Sequence, residues 1–248
     1  MLDLEYVRSQ FPGLQTDWTL FDNAGGSVPL GRVIDRVQDY MRHCMVQLGA
    51  SYELSVEASA RVAAGHRAAE QLFGAQEGDV VVGSSTTVLA RLAAAALRPM
   101  WRDGDEVIVT DLDHESNIGP WRNLEATGLV VREWQCDADT HELRLESLGR
   151  LLNERTRMVA FSQCSNLVGE LQDVKAIVAR VHEAGALVCV DGVASAPHRR
   201  VAVAALPRAE RRRRLDGARR RAQAVVLGRP HRQPRAVRRG HGLVTGRE

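Results

Sequence analysis

Four short segments carry side chains suited to holding a flat, anionic ligand. Ser85-Thr86-Thr87 stand between a predicted strand and a predicted helix, where hydroxyls, backbone N–H groups and the positive helix end would meet a phosphate. His114, within Asp113-His114-Glu115-Ser116-Asn117, offers an imidazole that could stack on a planar ring and move protons. Asn166, within Gln163-Cys164-Ser165-Asn166, could donate to a ring hydroxyl. Asp191 follows the apolar run 186–190 and opens the turn Asp191-Gly192-Val193-Ala194. A carboxylate at the C-terminal end of a buried strand sits where open α/β sheets hold ligands. Each segment also has a plainer reading: a Ser/Thr helix cap, a surface histidine in a loop, a turn-forming asparagine, a strand-end turn. What favours the functional reading is that all four fall at consecutive element ends in one alternating pattern.

The chemistry this set fits is that of pyridoxal phosphate. Such a site needs an anion cradle, a carboxylate against the pyridine nitrogen, a group to sandwich the ring, and a lysine amine for the Schiff base. Thr86 and Thr87 suit the first, Asp191 the second and His114 the third. The lysine is missing. Lys175 is the only lysine in 248 residues, against 32 arginines, and it falls on a solvent-facing flank of a predicted helix. Arginine cannot take its place, because a guanidinium stays protonated and is no amine nucleophile.

The elements that would position these residues alternate strand with helix, which predicts an α/β fold with a mainly parallel sheet flanked by helices. Strands are predicted over 79–83, 106–110, 129–134, 158–162 and 186–190, being short, β-branched and bounded by turn residues. Helices are predicted over 87–97, 146–153 and 174–184, with two more, near 32–48 and 55–73, ahead of the sheet. Val174, Ile177, Val178 and Val181 share one stripe, and Gly185 is placed to end that helix.

Residues 1–206 resemble the class V aminotransferase group of fold-type I pyridoxal phosphate enzymes, and among them the cysteine desulfurase-like proteins. Phe21-Asp22-Asn23-Ala24-Gly25-Gly26 is similar to the group's Leu-Asp-Asn-Ala-Ala segment. Asp113-His114-Glu115-Ser116-Asn117-Ile118-Gly119-Pro120-Trp121 is similar to its Glu-His-x-x-Asn-x-x-x-Trp loop, and Ser165-Asn166 and Val190-Asp191-Gly192 follow in the expected order. The resemblance implies an aminotransferase-type large domain, a homodimer in the intact family member, and a small amino acid as substrate. Desulfuration, transamination, elimination and racemisation all remain open. It also implies that Thr86 and Thr87 bind the cofactor phosphate, His114 stacks on the pyridine, Asn166 contacts the 3-hydroxyl and Asp191 pairs with the ring nitrogen. Ala194 departs from the pattern, standing where desulfurases commonly carry glutamine. The family's Ser-x-x-Lys loop, expected 20 to 30 residues after Asp191, is replaced by arginine runs, and its C-terminal small domain is missing. As given, the chain is expected to be catalytically inactive.

Composition divides the chain near Leu206. Residues 1–206 carry 19 basic and 28 acidic side chains, whereas residues 207–248 carry 14 and 3, and Phe161 is the last aromatic. The segment 207–248, arginine-rich and broken by proline and glycine, has no period of 3.6 or 2 and is expected to be disordered. Its composition is that of a GC-rich gene read out of frame. The other reading makes it an arm on a catalytically dead scaffold, binding nucleic acid or an acidic partner through arginine. Against a nucleic-acid partner stands the lack of lysine and of any aromatic residue to stack on bases. No run approaches a membrane span, and no Cys-x-x-Cys pair or histidine cluster has metal spacing, so a cytoplasmic protein with reduced thiols and no metal is expected.

Overall fold

The computed structural model describes residues 2–196. Expectations for the 207–248 segment therefore lie outside the described residues. Seven α-helices and four strands are described: α1 (Leu4–Ser9), α2 (Gly31–His43), α3 (Glu53–Phe73), α4 (Thr86–Leu97), β1 (Glu106–Thr110), α5 (Glu115–Arg122), β2 (Val130–Trp134), α6 (Leu145–Leu151), β3 (Thr156–Ser162), α7 (Val174–Glu183) and β4 (Leu187–Asp191). Among the described residues no helix is long and apolar enough to cross a membrane.

The strands form one parallel sheet in the order β2-β1-β3-β4. Both faces are covered, as the unbroken apolar runs of β1, β3 and β4 require. Alternation along the strands sends Val107, Val109, Met158, Ala160, Leu187 and Cys189 toward α4 and α5, where Ala93, Ala94, Ile118 and Trp121 complete a core. Ile108, Val159, Phe161, Val188 and Val190 face the other way, against Leu148 of α6 and Ile177 and Val181 of α7. On that second face Trp134 meets Phe161 edge to face, with ring centroids 6.3 Å apart. Gly185, at φ +76°, ends α7 as its position suggests, and Ala186 N–H donates to the Val181 carbonyl.

Several boundaries differ from expectation. The predicted strand at 79–83 pairs with no other strand among the described residues, so its β-branched run is without a ladder. Propensity alone does not make a strand. The helix expected over 32–48 ends at His43. There the chain turns inward to bury Cys44, and Ser55 ties the connection by donating to the Gln47 carbonyl at 2.7 Å and accepting from Ala50 N–H at 2.9 Å.

The segment 115–122 was expected to be loop, yet it is helical. Gly119 and Pro120 disfavour a helix by propensity, but packing overrides them, since every residue from Asn117 to Trp121 is buried. The short helix α1 was likewise not anticipated, although Asp3 caps it by accepting from Tyr6 N–H at 3.0 Å.

Candidate functional site at the C-terminal edge of the sheet

Because all four strands run parallel, their C-terminal ends form one edge, and the residues following β1, β3 and β4 gather there. His114 lies four residues beyond β1, Asn166 four beyond β3, and Asp191 is the last residue of β4. Ser162, the last residue of β3, stands directly beside Asp191 in the strand register.

Thr86 and Thr87 reach the same edge by a different route. Helix α4 leads through Arg98–Met100 toward the N-terminal end of β1. Its own N-terminus lies about 18 Å back along the helix axis, and an antiparallel run of α4 over the sheet would bring that end to the strands' C-terminal side. Ser85 is the cap, its hydroxyl accepting from Val88 N–H at 3.3 Å, so the plainer reading of that serine holds. Thr86 and Thr87 are the first two helical residues, where backbone N–H groups have no partner within the helix.

His114 is the last residue of the loop after β1. It caps α5, with Nδ1 accepting from Ser116 N–H at 3.1 Å and lying 2.7 Å from Ser116 Oγ, and its ring is exposed. A ring nitrogen that accepts at Nδ1 leaves Nε2 as the proton-bearing atom of the neutral imidazole.

Asn166 sits in the turn after β3. That turn is fixed by Ser165, which is buried and whose hydroxyl donates to the Leu112 carbonyl at 2.9 Å while accepting from Leu167 N–H at 3.2 Å. Asn166 Oδ1 is buried and has no hydrogen-bond partner. An uncompensated buried amide oxygen costs about 1–3 kcal/mol, so this atom fits a group that a ligand would satisfy. Asp191 is half-buried. One of its oxygens accepts from Val193 N–H at 2.8 Å, its carbonyl accepts from Gln163 N–H at 2.8 Å, and the rest of the carboxylate is left for another partner.

Behind this edge lies a polar cluster that the sequence reading missed. Asp113 is buried, and its Oδ2 accepts from Asn117 Nδ2 at 3.1 Å one turn along α5. Burial pushes its carboxyl up to about 6, the charge of Asp191 adds to that push, and Ser162 and Asn117 work against it. Ser162 is near enough to favour the charged form, but Asp113 Oδ1 still lacks a well-formed hydrogen bond. The Cys189 thiol donates to Asn117 Oδ1 at 3.6 Å. Burial, helped by Asp191 and Asp113, pushes that thiol up to about 12, so it stays neutral. The only legible signal for this cluster was the four-residue spacing of Asp113 and Asn117, which means contact only once 115–122 is known to be helical.

Lys175 is exposed near the start of α7, which covers the sheet face opposite α5. Among the described residues, then, no amine reaches the edge where the other candidates meet.

A parallel sheet covered on both faces, with a helix N-terminus, an imidazole, an orphaned amide oxygen and a carboxylate at its C-terminal edge, defines an α/β protein of the aminotransferase large-domain type. The family model described as aminotransferase class-V matches residues 19–207, and the chain belongs to that family. The aminotransferase-like protein FGM3 of Gibberella zeae is 43% identical over 207 residues, an alignment that covers 81% of this chain and 51% of that protein. Among solved structures, the cysteine desulfurase CsdA from Escherichia coli is similar, with a TM-score of 0.68 and 27% identity over 80% of this chain and 50% of its own. A mutant of C-DES with glycine covalently linked to its PLP cofactor shares the fold, with a TM-score of 0.67 and 21% identity over 76% of this chain and 50% of its own. The chain spans about half the length of the curated relatives it matches.

Proposed function

We propose that residues 1–206 are the large-domain part of a pyridoxal phosphate-dependent enzyme acting on a small amino acid, and that the chain as given is catalytically inactive. The observation that carries this reading is the meeting of His114, Asn166 and Asp191 on one sheet edge, with Asn166 Oδ1 buried and unsatisfied. Membership of the class V aminotransferase family supports it.

In this reading the N–H groups and hydroxyls of Thr86 and Thr87 receive the phosphate at the start of α4. His114, held in place by its bond to Ser116 and carrying a proton at Nε2, would cover one face of the ring. Asn166 would meet the ring hydroxyl, with Oδ1 accepting from it, and Asp191 would pair with the ring nitrogen and keep it protonated. When bound, pyridoxal phosphate supplies an electron sink for the carbon next to an amino group. The chain's residues bind and orient it, but none supplies the amine that would anchor it covalently.

The division at Leu206 is supported by the family match, which stops at residue 207, and by the change in charge and aromatic content there. We take 207–248 as the product of a reading-frame slip, and reading the gene past codon 206 in its other two frames tests this. If neither frame encodes an aromatic strand followed by Ser-x-x-Lys, the slip is ruled out. A homodimer in the intact enzyme is supported by the exposed apolar stripe Val33, Ile34, Val37 and Met41 on α2, a helix that buries none of its residues. The four free thiols support a cytoplasmic location.

The cofactor assignment is tested by titrating the full chain with pyridoxal phosphate, then treating it with borohydride and mapping peptides by mass. Reversible binding that Asp191→Ala weakens, with no stoichiometric covalent label, is the expected result. Binding that survives Asp191→Ala unchanged overturns the site, and stoichiometric labelling of Lys175 overturns the claim that the chain has no anchoring amine.

A further inference from the structure

The cluster beneath the sheet edge contains a titratable group with no part in the site described above. Asp113 is 7% exposed, although it lies beside the solvent-exposed His114. Buried carboxylates are ordinarily paired with a cation or fully hydrogen-bonded. The charged or titratable groups that face Asp113 are Asp191 and Cys189, both on β4, while β3 contributes Ser162 and α5 contributes Asn117. Its orientation is set by a relay. The Cys189 thiol donates to Asn117 Oδ1, so Asn117 presents Nδ2 to Asp113 Oδ2, and Asp113 Oδ1 is left unsatisfied. Ser162, paired in register with Asp191, brings the second carboxylate alongside.

We propose that Asp113 is a positioning residue for Asp191: the two carboxylates form an electrostatically coupled pair beside Ser162, in which the buried Asp113 adds a second negative charge behind the one exposed at the strand end. The like charge of Asp191 adds to the cost of ionising its buried neighbour, so a proton is retained in this partly desolvated site. Burial of Asp113 against the half-open setting of Asp191 assigns that proton to Asp113. Once Asp113 is ionised, the doubled charge strengthens the hold of the pair on a cation at the edge. A protonated ring nitrogen is such a cation, and this part of the inference rests on the cofactor reading above.

The coupling itself is measured without any ligand. Carbon-detected NMR of the aspartate side chains in the full chain gives the titration midpoint of Asp113, expected near 6. In Asp191→Asn, which keeps an oxygen for Val193 N–H, that midpoint is expected to fall by about one pH unit as the neighbouring charge is lost. A purely structural Asp113 would show the same midpoint with and without the Asp191 charge, and an unchanged midpoint in Asp191→Asn overturns the proposal. For the ligand arm, Asp113→Asn is expected to weaken pyridoxal phosphate binding about tenfold at pH 8 and little at pH 5, with inorganic phosphate binding unchanged. Equal weakening at both pH values overturns the charge-reinforcing role. Coupling seen by NMR in a chain that binds no pyridoxal phosphate at all would instead sink the cofactor reading and leave the carboxylate pair standing.

Discussion

Ser165 Oγ donates to the Leu112 carbonyl at 2.9 Å, a buried bond that fastens the turn after β3 to the end of β1. It sets Asn166 and His114 relative to each other, since each lies within two residues of one end of this bond. The same hydroxyl accepts from Leu167 N–H, so a single side chain closes the turn and ties it to the neighbouring strand. Ser165→Ala is expected to destabilise the chain by about 1–3 kcal/mol, because the Leu112 carbonyl loses its partner inside the protein. Denaturant unfolding measures this. No change in the midpoint would mean that the turn is held by other contacts.

His114 combines a structural and a proposed binding role, and two substitutions separate them. His114→Ala removes the cap of α5 and is expected to cost about 1 kcal/mol of stability together with affinity for pyridoxal phosphate. His114→Asn keeps a side-chain acceptor for Ser116 N–H, so stability is expected to stay near wild type while affinity still falls. Thermal melts and fluorescence titration, run side by side, check both. Full affinity in His114→Asn would remove the ring from the binding site.

Glu106, at the N-terminal edge of β1, predicts an acid-side stability limb. Its side chain takes a two-pronged contact from Arg132, at 3.0 and 3.2 Å, and a bond from Asn153 Nδ2 at 2.9 Å, which together hold its carboxyl below the usual range despite burial. A lowered folded-state value means that the unfolded chain binds the proton more tightly in acid. The stabilisation is therefore present above the ordinary value of 4.5 and lost as pH falls through the folded-state value. Glu106→Gln is expected to flatten this limb, which stability measured from pH 3 to 7 would show.

Asp113 has the opposite sign. Its folded-state value, near 6 against an ordinary 3.8, means that the native chain binds the proton more tightly, so stability declines as pH rises across that interval. The full effect is about 3 kcal/mol. Asp113→Asn is expected to abolish this decline and make the chain more stable at pH 7 than the wild type. A variant that is less stable at every pH would show that the carboxylate, not its neutral form, is the better guest of the cluster.

Trp134 predicts where the second core is most sensitive. It is fully buried against Phe161, and its indole N–H donates to Ser147 Oγ at 2.9 Å, joining β2 to α6. Trp134→Ala is expected to cost about 3–5 kcal/mol, read from the denaturant midpoint, whereas Trp134→Phe keeps most of the volume and loses only the bond.

The alternation of strand and helix, the capping of α4 by Ser85 and the end of α7 at Gly185 were legible in the linear sequence, where Thr86, Thr87, His114, Asn166 and Asp191 also stand out as candidates. Each depends on local chemistry: a period of 2 or 3.6, a hydroxyl before a helix, a glycine after one, a polar residue closing an apolar run. That Lys175 is the only lysine is likewise a fact of the sequence alone. Tertiary structure decided the rest. The 79–83 run had every local mark of a strand but joins no strand ladder among the described residues, and a strand is defined by its neighbour. The 115–122 run had a glycine and a proline against it, yet burial between α4 and the sheet made it a helix. That one outcome turned Asp113 and Asn117 from loop neighbours into a hydrogen-bonded pair beneath Asp191, at a sequence distance of more than 70 residues that no local pattern spans.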